Sequence, residues 1–393
     1  MAENEVSPSA QTPPQSPPQL PRKRTNPLIL FLMAVIPTAA IVWAMYQTQV
    51  AKPREENQQL NSELVYNLLG RPGETAPLKL REDFKDVDGD LVADPPAEPS
   101  KLIDPPTIYF SYVGTSQTEG ERLRERFKEF TAYLSSKTGK PVEFLVVKSP
   151  EEEVRALCDG RLQVAGVNTG NIPTAVNQCG FVPVCGLAND QGISRYRMQI
   201  IVPADSAVRG YEDLKGHELT LTEPGSNSGF KAPLVLLTKD KGLKPGKDFQ
   251  IRYSGGHEGS IEGIANKTYQ AAAVAGDVLQ RVMGEDPPKI KKEQFRVIYE
   301  SEDFPTAGFG YVYNLKPELA GKVKDAFFSF QWKGTGVERE FAASAQTKFV
   351  PISFKDNFSL IRRIDDEIRS IQTIGNEEPT TTSTEPATTT ASQ

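Results

Sequence analysis

The residues best placed to do chemistry lie in the second half of the chain. A run of small donors, Ser226-Asn227-Ser228-Gly229, is followed by His257 and, 20 residues further on, by Asp277. The run sits between a β-rich segment, Glu218–Thr222, and an apolar segment, Ala232–Leu237. Its backbone N–H groups therefore fall at a helix N-terminus, where free donors and the helix dipole both favour an anion. Two hydroxyls and an amide add donors, and Gly229 would let backbone approach a ligand closely. A helix cap needs only one such side chain, so the density of donors points to a ligand. His257, flanked by Gly255, Gly256 and Gly259, can bond an oxyanion as an imidazolium or as a neutral donor. Asp277 narrows the choice. A carboxylate repels an anion unless that anion brings a proton or the ligand carries a cation, and the same side chain also suits a helix N-cap.

The order Ser, His, Asp also permits a hydrolase reading with Ser226 or Ser228 as nucleophile. The loop reads Gly-Ser-Asn-Ser-Gly, with no serine at the centre of a Gly-x-Ser-x-Gly elbow and no preceding glycine-rich oxyanion loop. Binding is the preferred reading.

The segments that must position these residues alternate in period. Thr107–Val113 is β-rich and ends at Gly114, Thr115 and Ser116. Leu123, Phe127, Phe130 and Leu134 recur at helical spacing up to Thr138-Gly139, a stop signal. Strand and helix patterns keep alternating through 142–147, 150–157, 163–167, 172–177 and 197–202, and a second series runs from 218 to 313 before a final helix over 356–374. This is βαβ logic, and it predicts an α/β protein with largely parallel sheets.

The chain has 393 residues and a formal net charge of −6, which argues against a nucleic-acid binder. Two histidines and no metal spacing among three cysteines argue against a His- or Cys-based metal enzyme. Cys158, Cys179 and Cys185 are expected to be small buried hydrophobes. Cys179 and Cys185 form the candidate pair should the compartment be oxidising.

Residues 1–26 are rich in Pro, Gln and Ser and end in Arg22-Lys23-Arg24. Pro27–Tyr46 is then apolar and uncharged for 20 residues, and at about 1.5 Å per residue spans roughly 30 Å of hydrocarbon. The basic cluster predicts a cytoplasmic N-terminus, and Trp43 and Tyr46 suit interfacial anchors. An uncleaved anchor is preferred over a signal peptide because the run exceeds a usual signal core. Residues 47–106 are polar and Pro-rich and read as a stalk. Within it Asp86, Asp88, Asp90 and Asp94 could converge on calcium, although glycine falls at the fourth position and no Glu stands at the twelfth, unlike an EF-hand loop. A solvated acidic linker is the equal alternative, and no other cofactor is expected. Residues 375–393 are a Thr-rich tail whose composition predicts no packed structure.

From Phe110 to about Ile374 the sequence resembles the phosphate, phosphite and phosphonate substrate-binding proteins of ABC importers, a subset of the type II periplasmic binding proteins. The carriers are Thr222–Pro233, His257 with Ser260, and Asn266–Asp277. The resemblance implies two α/β lobes, 107–202 with 305–374 and 203–304, joined by crossovers near Val202 and Phe304. Hinge closure would bring both lobes onto the ligand, an ABC permease would be the partner, and the binding domain would lie outside the cytoplasm. A sensor or surface protein of the same fold is the alternative. From the second lobe the resemblance implicates Ser226, Asn227, Ser228, Gly229, His257 and Asp277, with Asp277 accepting a P–OH proton. From the first it implicates Thr115, Ser116, Asn168 and Thr169, with Tyr196 walling the cleft. The stretches Lys148–Glu151 and Gly166–Gly170 lack the tyrosine the family places there, and Phe304–Gly308 lacks the acid that would meet a ligand amine. These departures favour phosphate, phosphite or a small alkylphosphonate.

Overall fold

The computed structural model describes Trp43, residues 79–114 and residues 116–374. The first lobe opens with β1 (Ile108–Tyr112), α1 (Gln117–Arg126), α2 (Lys128–Thr138), β2 (Val142–Phe144), α3 (Pro150–Cys158), β3 (Val164–Val167), α4 (Ile172–Cys179), β4 (Phe181–Asn189) and the short β5 (Gly192–Ile193). The second lobe is β6 (Arg195–Pro203), β7 (Glu218–Leu221), a helical segment centred on α5 (Ala232–Val235), β8 (Gln250–Tyr253), α6 (His257–Ala265), β9 (Ala272–Ala275), α7 (Gly276–Met283) and β10 (Phe295–Pro305). The chain returns through β11 (Gly308–Val312), α8 (Pro317–Ser329), α9 (Gly336–Phe341), β12 (Lys348–Pro351), α10 (Phe354–Asn357) and α11 (Ser359–Ile374).

Each lobe has its own sheet. The first runs β12-β4-β11-β3-β1-β2, with β1 parallel to both β2 and β3, and β11 antiparallel to β3 and β4. The second runs β10-β6-β9-β7-β8, with β7 parallel to β8 and β9 and β6 antiparallel to β9 and β10. Both sheets are therefore mixed, not largely parallel as the alternation implied, because β4, β6, β10, β11 and β12 pair antiparallel. In each sheet the parallel strands present their C-terminal ends to one crevice, the usual ligand position in open α/β sheets. A buried aromatic cluster fills the first lobe, where Phe110, Phe127, Phe130, Phe309 and Phe327 are all fully enclosed. Phe127 interrupts the expected single helix, leaving α1 and α2, and Gly139 ends α2 in the left-handed conformation at φ 71°.

Three further expectations are corrected. The first crossover lies at Ser194, between β5 and β6, not near Val202, because Gly192–Ile193 still pairs with β4 while Arg195–Pro203 pairs along its length with β10 and β9 of the second sheet. The second crossover is Thr306-Ala307, between β10 and β11. The polar stretch from Lys79 onward is not a free stalk. The Arg81 N–H donates to the Asn177 carbonyl, Phe84 packs on Tyr313, and Val92 and Ala93 are buried. Third, the disulfide joins Cys158 to Cys179, while Cys185 is a buried free thiol in β4. Cys158 and Cys179 each close a helix, and α3 and α4 pack side by side, whereas β4 carries Cys185 into the core. Among the described residues no helix is long and apolar enough to cross a membrane. The expected span 27–46, apart from Trp43, and the tail 375–393 lie outside the described residues.

Candidate functional site: an interlobe anion cavity

Strand β7 ends at Leu221, and the chain turns through Glu223–Gly225 into a wide helical turn, Asn227–Lys231, that runs directly into α5. Ser226 caps this turn, its hydroxyl accepting from the Gly229 N–H at 3.1 Å. The donor run is therefore itself the first turn of the helix, with Ser226, Asn227 and Ser228 all buried. Gly229 is required for a different reason from the expected one. A Cβ there would sit 2.0 Å from the Thr222 hydroxyl, so the glycine allows the turn to pack on its own strand and does not face the cavity.

These residues face a cavity of about 160 Å³ between the lobes. The second lobe contributes Tyr196, Glu223, the Ser226–Ser228 turn, His257 and Asp277. The first contributes Tyr112, Asn168 and Thr169, and the crossover adds Thr306. One expected first-lobe donor falls away. Ser116 caps α1 through the Glu119 N–H at 3.2 Å and does not line the cavity. Thr115 lies outside the described residues. Asn168 uses its side-chain oxygen to accept from the Asn171 N–H at 2.8 Å, and Thr169 donates to the Pro305 carbonyl at 2.9 Å, tying the loop to the crossover. The loop meets the anion turn closely, since a Cβ on Gly170 would lie 2.2 Å from the Gly225 carbonyl oxygen.

His257 begins α6, and its state is set by its partners. Nδ1 accepts the Ala275 N–H at 3.1 Å, so the proton of the neutral ring sits on Nε2, which lies 3.3 Å from the Ser226 hydroxyl. Burial, with the Arg281 charge behind it, holds the imidazole down to about 4. It is a neutral donor at physiological pH, not an imidazolium. This arrangement also excludes the hydrolase reading. A catalytic base needs a free Nε2 lone pair and a carboxylate on Nδ1–H, whereas here Nε2 holds the proton and Nδ1 is spent on backbone. Asp277 instead accepts from the Val278 N–H at 2.9 Å, and burial raises its pKa. It both starts α7 and faces the cavity. Asn227 donates to the Tyr196 hydroxyl at 3.3 Å, and burial raises the phenol.

Sequence reasoning missed Tyr112 and Glu223. Tyr112 restores an aromatic wall from β1, stacked on Phe309 at 5.2 Å, where the two first-lobe loops have none. Its signal was its place at the C-terminal end of a parallel strand. Glu223 lies two residues past the end of β7 and three before Ser226, and the same rule would have found it.

The stalk aspartates are only partly gathered. Asp86, Asp88 and Asp90 place carboxylate oxygens within 4.8 Å of one another. Asp94 instead accepts the Val87 N–H at 2.7 Å, closing the loop.

Two α/β lobes hinged at paired crossovers and closed on a small cavity of neutral donors make a solute-binding clamp of the type II periplasmic kind. The sequence identifies which clamp. Over residues 112–358, more than half of the chain, it matches the family described as ABC transporter, phosphonate, periplasmic substrate-binding protein, and the chain belongs to that family. It is a binding protein and not an enzyme, and its folded domain is of an extracytoplasmic kind. Among solved structures, a binding protein component of an ABC phosphonate transporter from Pseudomonas aeruginosa is similar, with 21% identity, a TM-score of 0.61 and coverage of 70% of this chain and 90% of that one. PhnD1 from Prochlorococcus marinus in complex with methylphosphonate shares 15% identity at a TM-score of 0.58, covering 68% and 99%.

Proposed function

We propose that the chain captures a small phosphorus oxyanion, namely phosphate, phosphite or a small phosphonate, and delivers it to an ABC permease. The observation that carries this reading is the pairing of the Ser226–Ser228 turn and the neutral Nε2–H of His257 with Asp277 around one small cavity. The donors suit P–O oxygens, and Asp277 suits a single P–OH. A cavity of about 160 Å³ is room enough for a phosphate-sized ion. The Cys158–Cys179 disulfide fits an oxidising, extracytoplasmic compartment. The apolar run 27–46 would hold the domain at the outer face of the membrane, with its N-terminus inside.

The test is a thermal-shift titration of the full-length protein with phosphate, phosphite, methylphosphonate and 2-aminoethylphosphonate. A ligand at 100 times its Kd stabilises by about 2.7 kcal/mol, a readable shift. Silence from all four would remove the phosphorus assignment and leave the fold and family standing.

A further inference from the structure

The described residues that line the cavity include no lysine and no arginine, yet they include two carboxyl groups, Glu223 and Asp277. For an anion site this charge balance is the wrong way round, and protons must correct it. A phosphonate monoanion has one P–OH. Once Asp277 accepts that proton, a second ionised carboxylate would face bare phosphonate oxygens.

We propose that Glu223 enters the complex as a carboxylic acid and keeps its proton, its O–H donating a hydrogen bond to a ligand oxygen, so that the cavity holds one acid and one carboxylate against a monoprotonated oxyanion. The inference rests on the ligand class of the preceding section and adds a residue that fixes the ligand's proton count.

The surroundings of Glu223 favour the acid. It has no ion-pair partner among the described residues. The cation that acts on it, Lys231, spends its ammonium on the Gly170 carbonyl at 2.7 Å and on Asp365 at 2.8 Å. Across the cleft, α3 presents Glu151, another negative charge. Arg281, one turn beyond Asp277, is taken by Glu258 and Glu285. His257 of α6 is neutral, and Tyr112 and Tyr196 are phenols. Burial lifts the Glu223 carboxyl to about 8, reinforced by Glu151 and opposed only in part by a backbone hydrogen bond, by the Thr222 hydroxyl and by Lys231. A bound anion would lift it further.

The experiment compares the full-length protein with Glu223→Gln, which keeps a donor and cannot ionise. The first arm uses no ligand. Between the ordinary glutamate value and about 8 the folded wild type holds a proton that the unfolded chain has lost, so its stability falls as pH rises through that window. The Tm of Glu223→Gln minus that of wild type should grow by a few degrees from pH 5 to pH 8 and then level off. The second arm measures Kd for methylphosphonate by calorimetry from pH 6 to pH 9.5. The ligand's own ionisation cancels in the ratio of wild-type to variant Kd. That ratio should be flat below pH 7 and climb toward about tenfold per pH unit above 8.

A flat Tm difference means that Glu223 is ionised in the folded protein and overturns the proposal whether or not any ligand binds. Weaker methylphosphonate binding in Glu223→Gln at every pH, with a flat ratio, also overturns it. So does a wild-type preference for 2-aminoethylphosphonate that the variant abolishes, which would make Glu223 a partner for a cation. If no oxyanion binds either protein while the Tm difference persists, the ligand class falls and takes the donated hydrogen bond with it. If an oxyanion binds and only the ratio is flat, the role of Glu223 falls alone.

Discussion

Replacing Lys231 with methionine tests how the two lobes are held. Lys231 follows the anion turn in the second lobe, and its ammonium reaches two first-lobe groups, the Gly170 carbonyl at 2.7 Å and Asp365 Oδ1 on α11 at 2.8 Å. Both charged side chains are buried, at 10% and 7% exposure, and Asp365 Oδ2 has no hydrogen-bond partner. Methionine fills the same volume but leaves a buried carboxylate without a counter-charge. Removing one partner of a buried pair typically costs about 3–5 kcal/mol, whereas replacing both by apolar groups is often nearly neutral. Lys231→Met should therefore lower the urea midpoint by an amount equivalent to about 3–5 kcal/mol at unchanged m, or a Tm drop of roughly 5–10 °C for a unit of this size. The double change Lys231→Met with Asp365→Leu should recover most of the loss, giving a coupling energy above about 2 kcal/mol in the cycle. A single-variant cost below 1 kcal/mol, or a double variant as unstable as the sum of the singles, would refute the reasoning.

The other expectations are shorter. Alanine at Ser228 or at His257 should each weaken oxyanion binding by about 1–3 kcal/mol, read as Kd by calorimetry; unchanged affinity in both would misplace the pocket. Because the folded imidazole is held at about 4 and the unfolded one near its ordinary value, the unfolded state takes up the proton first as pH falls. Stability contributed by neutral His257 is complete above pH 6.5 and is lost toward pH 4, at roughly 1.4 kcal/mol per pH unit, and His257→Gln should flatten that part of the Tm profile. Replacing Cys158 and Cys179 with serine opens a loop of 21 residues' separation and should cost about 3 kcal/mol in denaturant unfolding. Calcium at millimolar concentration should raise the Tm if Asp86, Asp88 and Asp90 hold it, and Asp86→Asn should abolish that shift.

Period and order along the chain were enough for the α/β class, the donor turn, His257 and Asp277, because these depend on local alternation and on motif spacing. Strand β4 escaped this reasoning. It is a continuous apolar run containing Pro183, which argues against a central strand, yet it sits between β11 and β12 with Pro183 opposite Gly310 beside a register shift. The crossover at Ser194 was equally hidden, since hydrophobic alternation in β6 says that it is a strand and not which sheet it joins.

Everything that depends on contacts between distant segments needed the folded chain. The pairing of Cys158 with Cys179 follows from two helices lying side by side. The neutrality of His257 follows from burial, and its tautomer from a backbone N–H 18 residues away. Tyr112 and Glu223 join the site because parallel strands deliver their ends to one crevice, and Lys231 meets Asp365 across 134 residues. The sequence by itself determined which groups are present and which local element each belongs to. Only the tertiary structure decided which of them are stripped of water and face one another, and that desolvation sets whether a given group is charged, neutral or paired.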